Sequence, residues 1–333
     1  MINIKVIIPL AGKGTRMRPH THTKAKPLLP VAGKPVLDHV IDCLKGLDIS
    51  EYIFITGHLK EQIEEHITKT YTFKTRFIEQ KVKDGTAGAI RLAEPFVDEP
   101  VLIIFVDTIF DADLSVITTS KDDGIIWAKE VEDYQRFGVI IKDGEGYMQR
   151  IIEKPKEPIS RLANIGLYYV KDHRLMFEGI HHVYGKNITL KGEYFLTDAF
   201  QYMVDHGAKI KVAEVAGWYD CGAPETTLDS NAILLKKHHA IKSPLKETTI
   251  VEPVSIGEHC TVEASTIGPN VSIADACTIR NASLRDCIID KGSTVKDISL
   301  SGSILGEEVL VEGKGRDQHA ALMLGDHSRS ILH

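Results

Sequence analysis

A basic segment near the start of the chain has the composition of an anion-binding loop. Residues 10–35 read LAGKGTRMRPHTHTKAKPLLPVAGKP and contain two arginines, four lysines and no carboxylate. Backbone N–H groups next to Gly12 and Gly14 can line an anion site, and the guanidinium of Arg16 offers a rigid fork to phosphate oxygens. The segment therefore predicts a site for a phosphorylated ligand, with a solvated surface turn as the alternative.

Two common phosphate motifs do not fit this segment. A dinucleotide fingerprint needs a third glycine where the chain has Met17, and the Gly-Lys-Ser/Thr tripeptide of a P-loop does not occur anywhere. What remains is G-x-G-T-R, followed within a short reach by Lys24, Lys26 and Lys34.

The composition excludes several classes of protein. The 333 residues are 43% hydrophobic and 26% charged, and the net charge is −6, whereas a general nucleic-acid binder would be basic. Five scattered cysteines without C-x-x-C spacing indicate reduced thiols and no metal framework. The sequence shows neither a signal peptide nor a membrane span. We therefore expect a cytoplasmic protein without nucleic-acid or membrane partners.

Strand and helix patterns alternate through the first 240 residues. We predict strands at 5–10, 52–56, 76–80 and 101–106, helices at 36–44, 59–67, 87–93, 194–205 and 225–238, and a hairpin around 143–146. This alternation predicts right-handed βαβ units and an α/β fold with a mostly parallel sheet covered on both faces.

The pattern changes after Ser243. Small aliphatic residues recur at intervals of six, as in Ile267, Ile273 and Ile279, which is typical of a hexapeptide-repeat parallel β-helix; an irregular β-sandwich is the alternative. We predict roughly three coils of about eighteen residues each. The predicted domains are 1–242 and 243–333. A stack this short leaves an open end, so we expect it to pack on the first domain or on another subunit of a homo-oligomer.

Six segments in order resemble the sugar-1-phosphate nucleotidylyltransferases. They are LAGKGTRMRP…AKPLLPVAGKP, QKVKDGTAGAI, YQRFGVI, EKPKEPISRLANIGLYYV, EYFLTDAF and GWYDCGAPET. With the C-terminal repeat and LMLGDHSRS, the chain is similar to long-form glucose-1-phosphate thymidylyltransferases. The resemblance implies a Rossmann-like three-layer domain followed by a left-handed β-helix. It also implies transfer of a nucleotidyl group from a nucleoside triphosphate to a sugar 1-phosphate, with release of pyrophosphate.

The resemblance assigns roles to particular residues. It makes Arg16 and Lys26 catalytic, since they would stabilise charge on the transferring group. It places Mg²⁺ on Asp107 and Asp220, although a strand-end cap and a turn aspartate are the alternatives. The nucleotide side would consist of Leu10, Ala11, Gly12, Gly14, Thr15, Gln80, Gly85 and Thr86. The sugar side would consist of Gly138, Glu153, Lys154, Asn164, Gly166 and Glu193.

Gln80 and the family resemblance indicate the substrates. The Gln80 amide can pair with N3–H and a carbonyl of a pyrimidine, which favours thymidine or uridine triphosphate over a purine nucleotide. We predict thymidine triphosphate slightly ahead of uridine triphosphate. Glucose 1-phosphate follows from the resemblance alone. Val106 stands where the family often has glycine, so base and sugar preference stay open. Ala223 replaces a frequent threonine, and Lys13 a common glycine or alanine.

Two other classes of function stay open at this stage. Hexapeptide β-helices often host acyl transfer. Against this alternative, the repeat is short for an acyl-CoA cleft and shows no evident catalytic histidine, with His259 the one histidine within residues 248–313. A regulator that senses nucleotide sugars is the second alternative. Acetyl-CoA consumption would support the first, and failure to release pyrophosphate with any sugar 1-phosphate would support the second.

Overall fold

The computed structural model describes residues 3–332. Seven α-helices are present in this part of the chain: α1 Val36–Asp42, α2 Lys60–Thr70, α3 Thr86–Arg91, α4 Val116–Thr119, α5 His173–Gly185, α6 Leu196–Asp205 and α7 Pro224–Leu235. Single 3₁₀ turns cover Thr15–Met17, His20–His22, Lys26–Leu28, Glu94–Phe96 and Tyr134–Arg136. None of the described helices is both long and apolar enough to cross a bilayer.

Between residues 3 and 239 the structure describes thirteen strands. They are β1 Ile4–Pro9, β2 Pro30–Val31, β3 Lys34–Pro35, β4 Ile49–Thr56, β5 Thr75–Glu79, β6 Val101–Ile104, β7 Thr108–Asp111, β8 Gly124–Glu130, β9 Gly138–Lys142, β10 Met148–Glu153, β11 Leu162–Val170, β12 Ile210–Glu214 and β13 Gly217–Asp220. The strands and helices predicted from the sequence are present with shifted ends. Helix α5 was not predicted.

Contacts divide the chain into two compact units. Among the described residues, the first unit comprises residues 3–12, 42–106 and 110–218, and the second comprises 13–41, 107–109 and 219–332. The basic loop therefore belongs to the same unit as the C-terminal repeats, whereas the sequence-based division runs at 242/243.

A nine-stranded sheet forms the centre of the first unit. Its path is β10-β9-β11-β6-β1-β4-β5, and β8 joins β11 to β12. The half made of β6, β1, β4 and β5 is parallel, as predicted, with Val6 opposite both Tyr52 and Leu102. Strand β11 runs antiparallel to β6, β8 and β9. All five residues from Ile4 to Ile8 are buried, which shows that both faces of β1 are covered.

Short parallel strands fill residues 240–331 of the second unit, a region we call the C-terminal stack. They are β14 Ala240–Ile241, β15 Leu245–Lys246, β16 Thr249–Ile250, β17 Val254–Ile256, β18 Thr261–Glu263, β19 Thr266–Ile267, β20 Val271–Ile273, β21 Thr278–Ile289, β22 Thr294–Leu305, β23 Leu310–Glu312, β24 His319–Ala320, β25 Met323–Leu324 and β26 Arg329–Ile331. The aliphatic residues spaced six apart are buried, as the repeat pattern requires.

The repeat of the C-terminal stack is shorter than predicted. Val262 pairs with Ile279, and Ile279 pairs with Val295, so successive strands lie 17 and then 16 residues apart instead of about eighteen. The difference arises because some buried positions follow one another after five residues, as Ile279 and Leu284 do.

Candidate active site

The basic loop of the second unit is held closed by its own residues. Gly14 has φ +60°, a left-handed conformation that favours glycine. A side chain there would come within 2.9 Å of Lys26 Cβ, and Thr21 Oγ1 donates a hydrogen bond to the Gly14 carbonyl at 2.8 Å. The 3₁₀ turn that begins at Thr15 carries Arg16. The glycine therefore lets the two ends of the loop approach each other.

Four charged residues predicted to act together lie in the second unit. Lys26 Nζ is 4.0 Å from Asp107 Oδ2. The Asp107 carbonyl accepts from the Cys221 N–H at 2.9 Å, which brings Asp220 and the following turn to the same place. A Cβ at Gly222 would lie 2.7 Å from Asp220 Oδ1 and 3.1 Å from Arg16 Nη2. The absence of a side chain at Gly222 therefore leaves room for the Asp220 carboxylate and the Arg16 guanidinium.

The two aspartates provide the ligand chemistry that Mg²⁺ prefers. Carboxylate oxygens are hard donors, and Mg²⁺ is commonly held by one or two carboxylates together with substrate phosphates. The Asp107 side chain is 47% exposed, so its oxygens can reach a ligand. Burial raises the pKa of the Cys221 thiol to about 12, so this neighbour stays neutral. Residues 3–332 contain no group of three or more His, Cys, Asp or Glu side chains arranged for a metal.

Lys24 does not join this charged group as the basic segment suggests. Its ammonium pairs with Asp290 and, at 3.1 Å, with Glu307, both in the C-terminal stack. Its charge is therefore largely neutralised by these carboxylates. Sequence spacing alone could not separate Lys24 from Lys26, because the partners lie more than 260 residues away along the chain.

The predicted base-binding residues lie together in the first unit. Gln80 is 7% exposed, and its Nε2 donates to the Gly85 carbonyl at 3.3 Å. Gly85 has φ +113°, and a Cβ there would lie 2.3 Å from the Tyr194 carbonyl oxygen, so no larger residue fits. Thr86 Oγ1 accepts from the Leu196 N–H at 2.9 Å. These contacts fix the Gln80–Thr86 turn against the segment that begins α6.

Asp84 supports this turn and was missed by the sequence analysis. Its Oδ1 lies 3.4 Å from Gln80 Nε2, and its Oδ2 accepts from the Tyr184 hydroxyl at 2.5 Å. Tyr184 comes from α5, which was also not predicted. Because α5 was not predicted, no sequence signal indicated a role for Asp84.

Leu10 and Ala11 lie at the end of β1 in the same unit. The Leu10 N–H donates to the Ile55 carbonyl at 2.7 Å. A Cβ on Gly57 would lie 2.9 Å from that of Ala11, so the backbones of the two strand ends are close. Gly12, which follows directly, has open space where a side chain would be. This strand end is therefore shaped by small residues, as a close approach to a ligand would require.

Most of the predicted sugar-side residues also cluster in the first unit. Asn164 Nδ2 donates to the Gly138 carbonyl at 3.0 Å, and Asn164 Oδ1 accepts from the Gly166 N–H at 3.2 Å and from the Tyr168 hydroxyl. A Cβ at Gly138 would come within 2.9 Å of Glu153 Oε2. The four predicted residues Gly138, Glu153, Asn164 and Gly166 thus form one connected group.

Lys154 is held beside Glu153 in an unusual conformation. Its φ of +46° is uncommon for a lysine and is a form of strain often found at functional sites. Its Nζ lies 3.2 Å from Glu153 Oε1 and 4.5 Å from the centre of the Phe195 ring. Thr197 Oγ1 donates to Glu153 Oε2 at 3.3 Å. Phe195 and Thr197 fall within the segment EYFLTDAF. From this segment, Glu193 was the residue predicted to lie on the sugar side.

Glu193 lies on the surface. It is exposed, and its backbone forms a turn with Leu190 through hydrogen bonds of 3.0 and 3.1 Å. The expected grouping with the sugar side is therefore carried by Phe195 and Thr197 in the described residues. The histidines outside the motifs have ordinary contacts, such as that of His181 with Glu94 at 2.8 Å.

The ionisation of Asp198 should make the stability of the protein depend on pH. Burial, helped by the nearby Glu153 charge, raises the pKa of Asp198 to about 6. Between the ordinary aspartate pKa and that value, the folded protein keeps a proton that the unfolded chain has lost, so stability falls as the pH rises. An Asp198→Asn variant cannot ionise. We expect its Tm to match wild type near pH 4 and to exceed it by roughly 2–4 °C above pH 6.

Differential scanning fluorimetry across pH 4–8 checks this expectation. Asp229→Asn, which changes an exposed aspartate on α7, is the matched control and should follow wild type. Equal Tm values for Asp198→Asn and wild type at every pH would show that Asp198 ionises normally.

Comparisons with known proteins show which family the chain resembles. The nucleotidyl transferase family model matches residues 5–237. The bifunctional protein GlmU of Methanocaldococcus jannaschii is 36% identical over 248 residues, covering 74% of this chain and 58% of that protein. A glucose-1-phosphate thymidylyltransferase of Streptomyces griseus is 27% identical over 99% of both chains. A crystal structure of UDP-glucose pyrophosphorylase complexed with UDP-glucose matches with a TM-score of 0.63 at 23% identity, covering 71% of this chain and 100% of that one.

The chain belongs to the nucleotidyl transferase family, among the sugar-1-phosphate nucleotidyltransferases. It spans 58% of the length of the Methanocaldococcus relative. The resemblance in the six sequence segments is thereby confirmed at the level of the family.

Proposed function

We propose that this protein transfers the nucleotidyl group of a pyrimidine nucleoside triphosphate to a sugar 1-phosphate. Thymidine triphosphate is the preferred donor, uridine triphosphate is a second donor, and glucose 1-phosphate is the acceptor. The observation that carries the proposal is the grouping of Arg16, Lys26, Asp107 and Asp220 in one unit. The similarity to the Streptomyces thymidylyltransferase supports the donor and the acceptor.

The reaction needs positive charge around the transferring phosphorus. A phosphate oxygen of the sugar attacks the α-phosphorus, the bond from that phosphorus to the bridging β-oxygen breaks, and pyrophosphate leaves. Arg16 and Lys26 would stabilise the charge that develops on the transferring group. Asp107 and Asp220 would hold Mg²⁺, which neutralises phosphate charge when bound.

The first unit would bind the organic parts of both substrates. Gln80 Nε2 is directed to Gly85 and Asp84, which leaves Oε1 to accept from pyrimidine N3–H. Gly138, Asn164 and Gly166 would line the sugar, with Glu153 accepting from its hydroxyls. Lys154 would neutralise the 1-phosphate. Leu10, Ala11, Gly12, Gly85 and Thr86 would provide backbone and small side chains for the nucleotide. Gly14 and Thr15, which belong to the second unit, would do the same.

We also propose that the C-terminal stack is a left-handed β-helix. Short parallel strands that pair every 16–17 residues support a left-handed β-helix. Its end strands carry Ile241 and Ile331, which are 45% and 41% exposed, and this supports packing in a homo-oligomer. His259, the histidine that an acyl-transfer function would need, is an exposed residue with φ +59°.

A matrix of triphosphates against sugar 1-phosphates tests the proposed substrates. We expect nucleotide sugar and pyrophosphate from both pyrimidines, with thymidine ahead by less than about tenfold, since one methyl group discriminates by only about 1–3 kcal/mol. Faster turnover with adenosine or guanosine triphosphate would refute the donor assignment.

Replacing Gln80 provides a sharper test of base recognition. Gln80→Leu should lower kcat/KM for thymidine triphosphate about 10–100-fold, because the lost hydrogen bonds to a buried polar edge are worth about 1–3 kcal/mol. Gln149→Leu changes an exposed glutamine and serves as the control. Wild-type kinetics in Gln80→Leu would remove Gln80 from the base site.

A further inference from the structure

The loop that carries Arg16 and Lys26 is bound to the C-terminal stack by an ion pair. Lys24 pairs with Asp290, the residue that follows β21, and with Glu307, which follows β22. Asp290 is 7% exposed and its Oδ1 accepts from the Lys291 N–H at 2.8 Å, so its other oxygen is directed to Lys24. A pair this well buried holds its partners more firmly than a surface salt bridge.

A second carboxylate of the stack accepts a hydrogen bond from Thr23, the loop residue next to Lys24. Thr23 Oγ1 donates to Asp326 Oδ2 at 2.7 Å, and Asp326 Oδ1 accepts from the Glu307 N–H at 2.8 Å. Pro19 lies against Gly325, where an added Cβ would be 3.2 Å from the Pro19 carbonyl oxygen. The loop is therefore fixed to the stack at several points between Arg16 and Lys26.

The underside of the loop is buried on the stack. Met17 and His20 are 1% exposed, and they line a narrow cavity together with Leu29, Ile288 and Ile304. Burial lowers the pKa of His20 to about 4, so the ring is neutral at pH 7. Because Met17 and His20 are buried on the stack, a displacement of the stack is transmitted to the loop.

We propose that Asp290 and Asp326 are positioning residues for Arg16 and Lys26. They touch neither substrate; they act through Lys24 and Thr23, whose segment carries the two catalytic cations. The C-terminal stack would therefore help to position the catalytic residues. The inference rests on the proposed function, because it assigns the stack a role in that same reaction.

A double-mutant cycle tests the connection. Asp290→Asn should lower kcat roughly 10–100-fold, because misplacing catalytic groups by about 1 Å has effects of that size. Lys24→Met should have a similar effect, and the double variant should be no worse than the more impaired single variant, since both changes remove one contact. Lys24→Arg should restore most of the activity. Multiplying losses in the double variant would show that Lys24 acts directly on substrate and would overturn the inference.

A matched control lies within the stack. Glu263→Gln removes a carboxylate whose cation, Arg280, belongs to the next coil and is 3.2 Å away. This variant should keep wild-type kcat. An equal loss in Glu263→Gln would mean that any damage to the stack lowers activity, which also overturns the inference.

Hydrogen exchange distinguishes a failure of the inference from a failure of the proposed function. Asp290→Asn and Lys24→Met should raise amide exchange in residues 13–30 while the nine-stranded sheet keeps wild-type protection. This readout needs no turnover, so it applies even if wild type transfers no nucleotide. Unchanged exchange in residues 13–30 would refute the inference, whatever reaction the protein catalyses.

Discussion

Alanine at Arg16 or at Lys26 should reduce kcat about 10²–10³-fold while the protein stays folded. Each substitution removes a positive charge placed where the transferring group becomes more negative, and a donor of this kind is worth about 2.7–4 kcal/mol in the transition state. KM should change less, because the interaction strengthens as the reaction proceeds. Single-turnover rates measure the loss of catalysis, and the Tm of each variant shows whether it stays folded.

Arg18→Ala is the matched control for this experiment. Arg18 is exposed and lies two residues after Arg16, so its loss changes the charge of the loop equally. It should keep activity close to wild type. If Arg16→Ala and Lys26→Ala both stayed within a few-fold of wild type, the loop would have no catalytic role.

The second large effect concerns magnesium. Asp107→Asn and Asp220→Asn should each lower activity at fixed Mg²⁺ roughly 10–100-fold and raise the concentration needed for half-maximal rate, because an amide is a poorer ligand for a hard dication. Isothermal titration with Mg²⁺ and a non-hydrolysable triphosphate measures Mg²⁺ binding without turnover.

Asp113→Asn provides the comparison for the two metal variants. Asp113 is an exposed aspartate whose Oδ1 accepts from the Ser115 N–H at 2.9 Å. Its magnesium titration should follow wild type. An unchanged titration in Asp107→Asn or in Asp220→Asn would exclude that residue from the metal site.

Much of the fold could be predicted because its signals are local. Continuous apolar runs mark β1 and β6, and turn residues mark the hairpin between β9 and β10. The repeat region was recognisable from spacing alone, since its buried aliphatics recur at nearly constant intervals. The coil length was wrong because a period of six ignores the positions where the interval shortens to five.

Residues of the candidate site could be grouped from the sequence where one motif contains both residues of a contact. Gly14 and Lys26 belong to one segment, and the same is true of Gln80 and Gly85. Contacts between distant segments were not visible in the sequence. The pairing of Lys24 with Asp290 depends on how the loop folds onto the stack, and charge and spacing alone do not distinguish Lys24 from Lys26.

Isotope labelling of the phosphorus atoms distinguishes nucleotidyl transfer from other reactions of the triphosphate. The protein is incubated with Mg²⁺, glucose 1-phosphate and thymidine triphosphate labelled at either the α- or the γ-phosphorus. We predict that α-label appears in a nucleotide sugar, that γ-label appears in pyrophosphate in equal amount, and that neither appears without the sugar phosphate. Release of γ-label as orthophosphate, or transfer of γ-label to the sugar, would show a different reaction and contradict the proposed function.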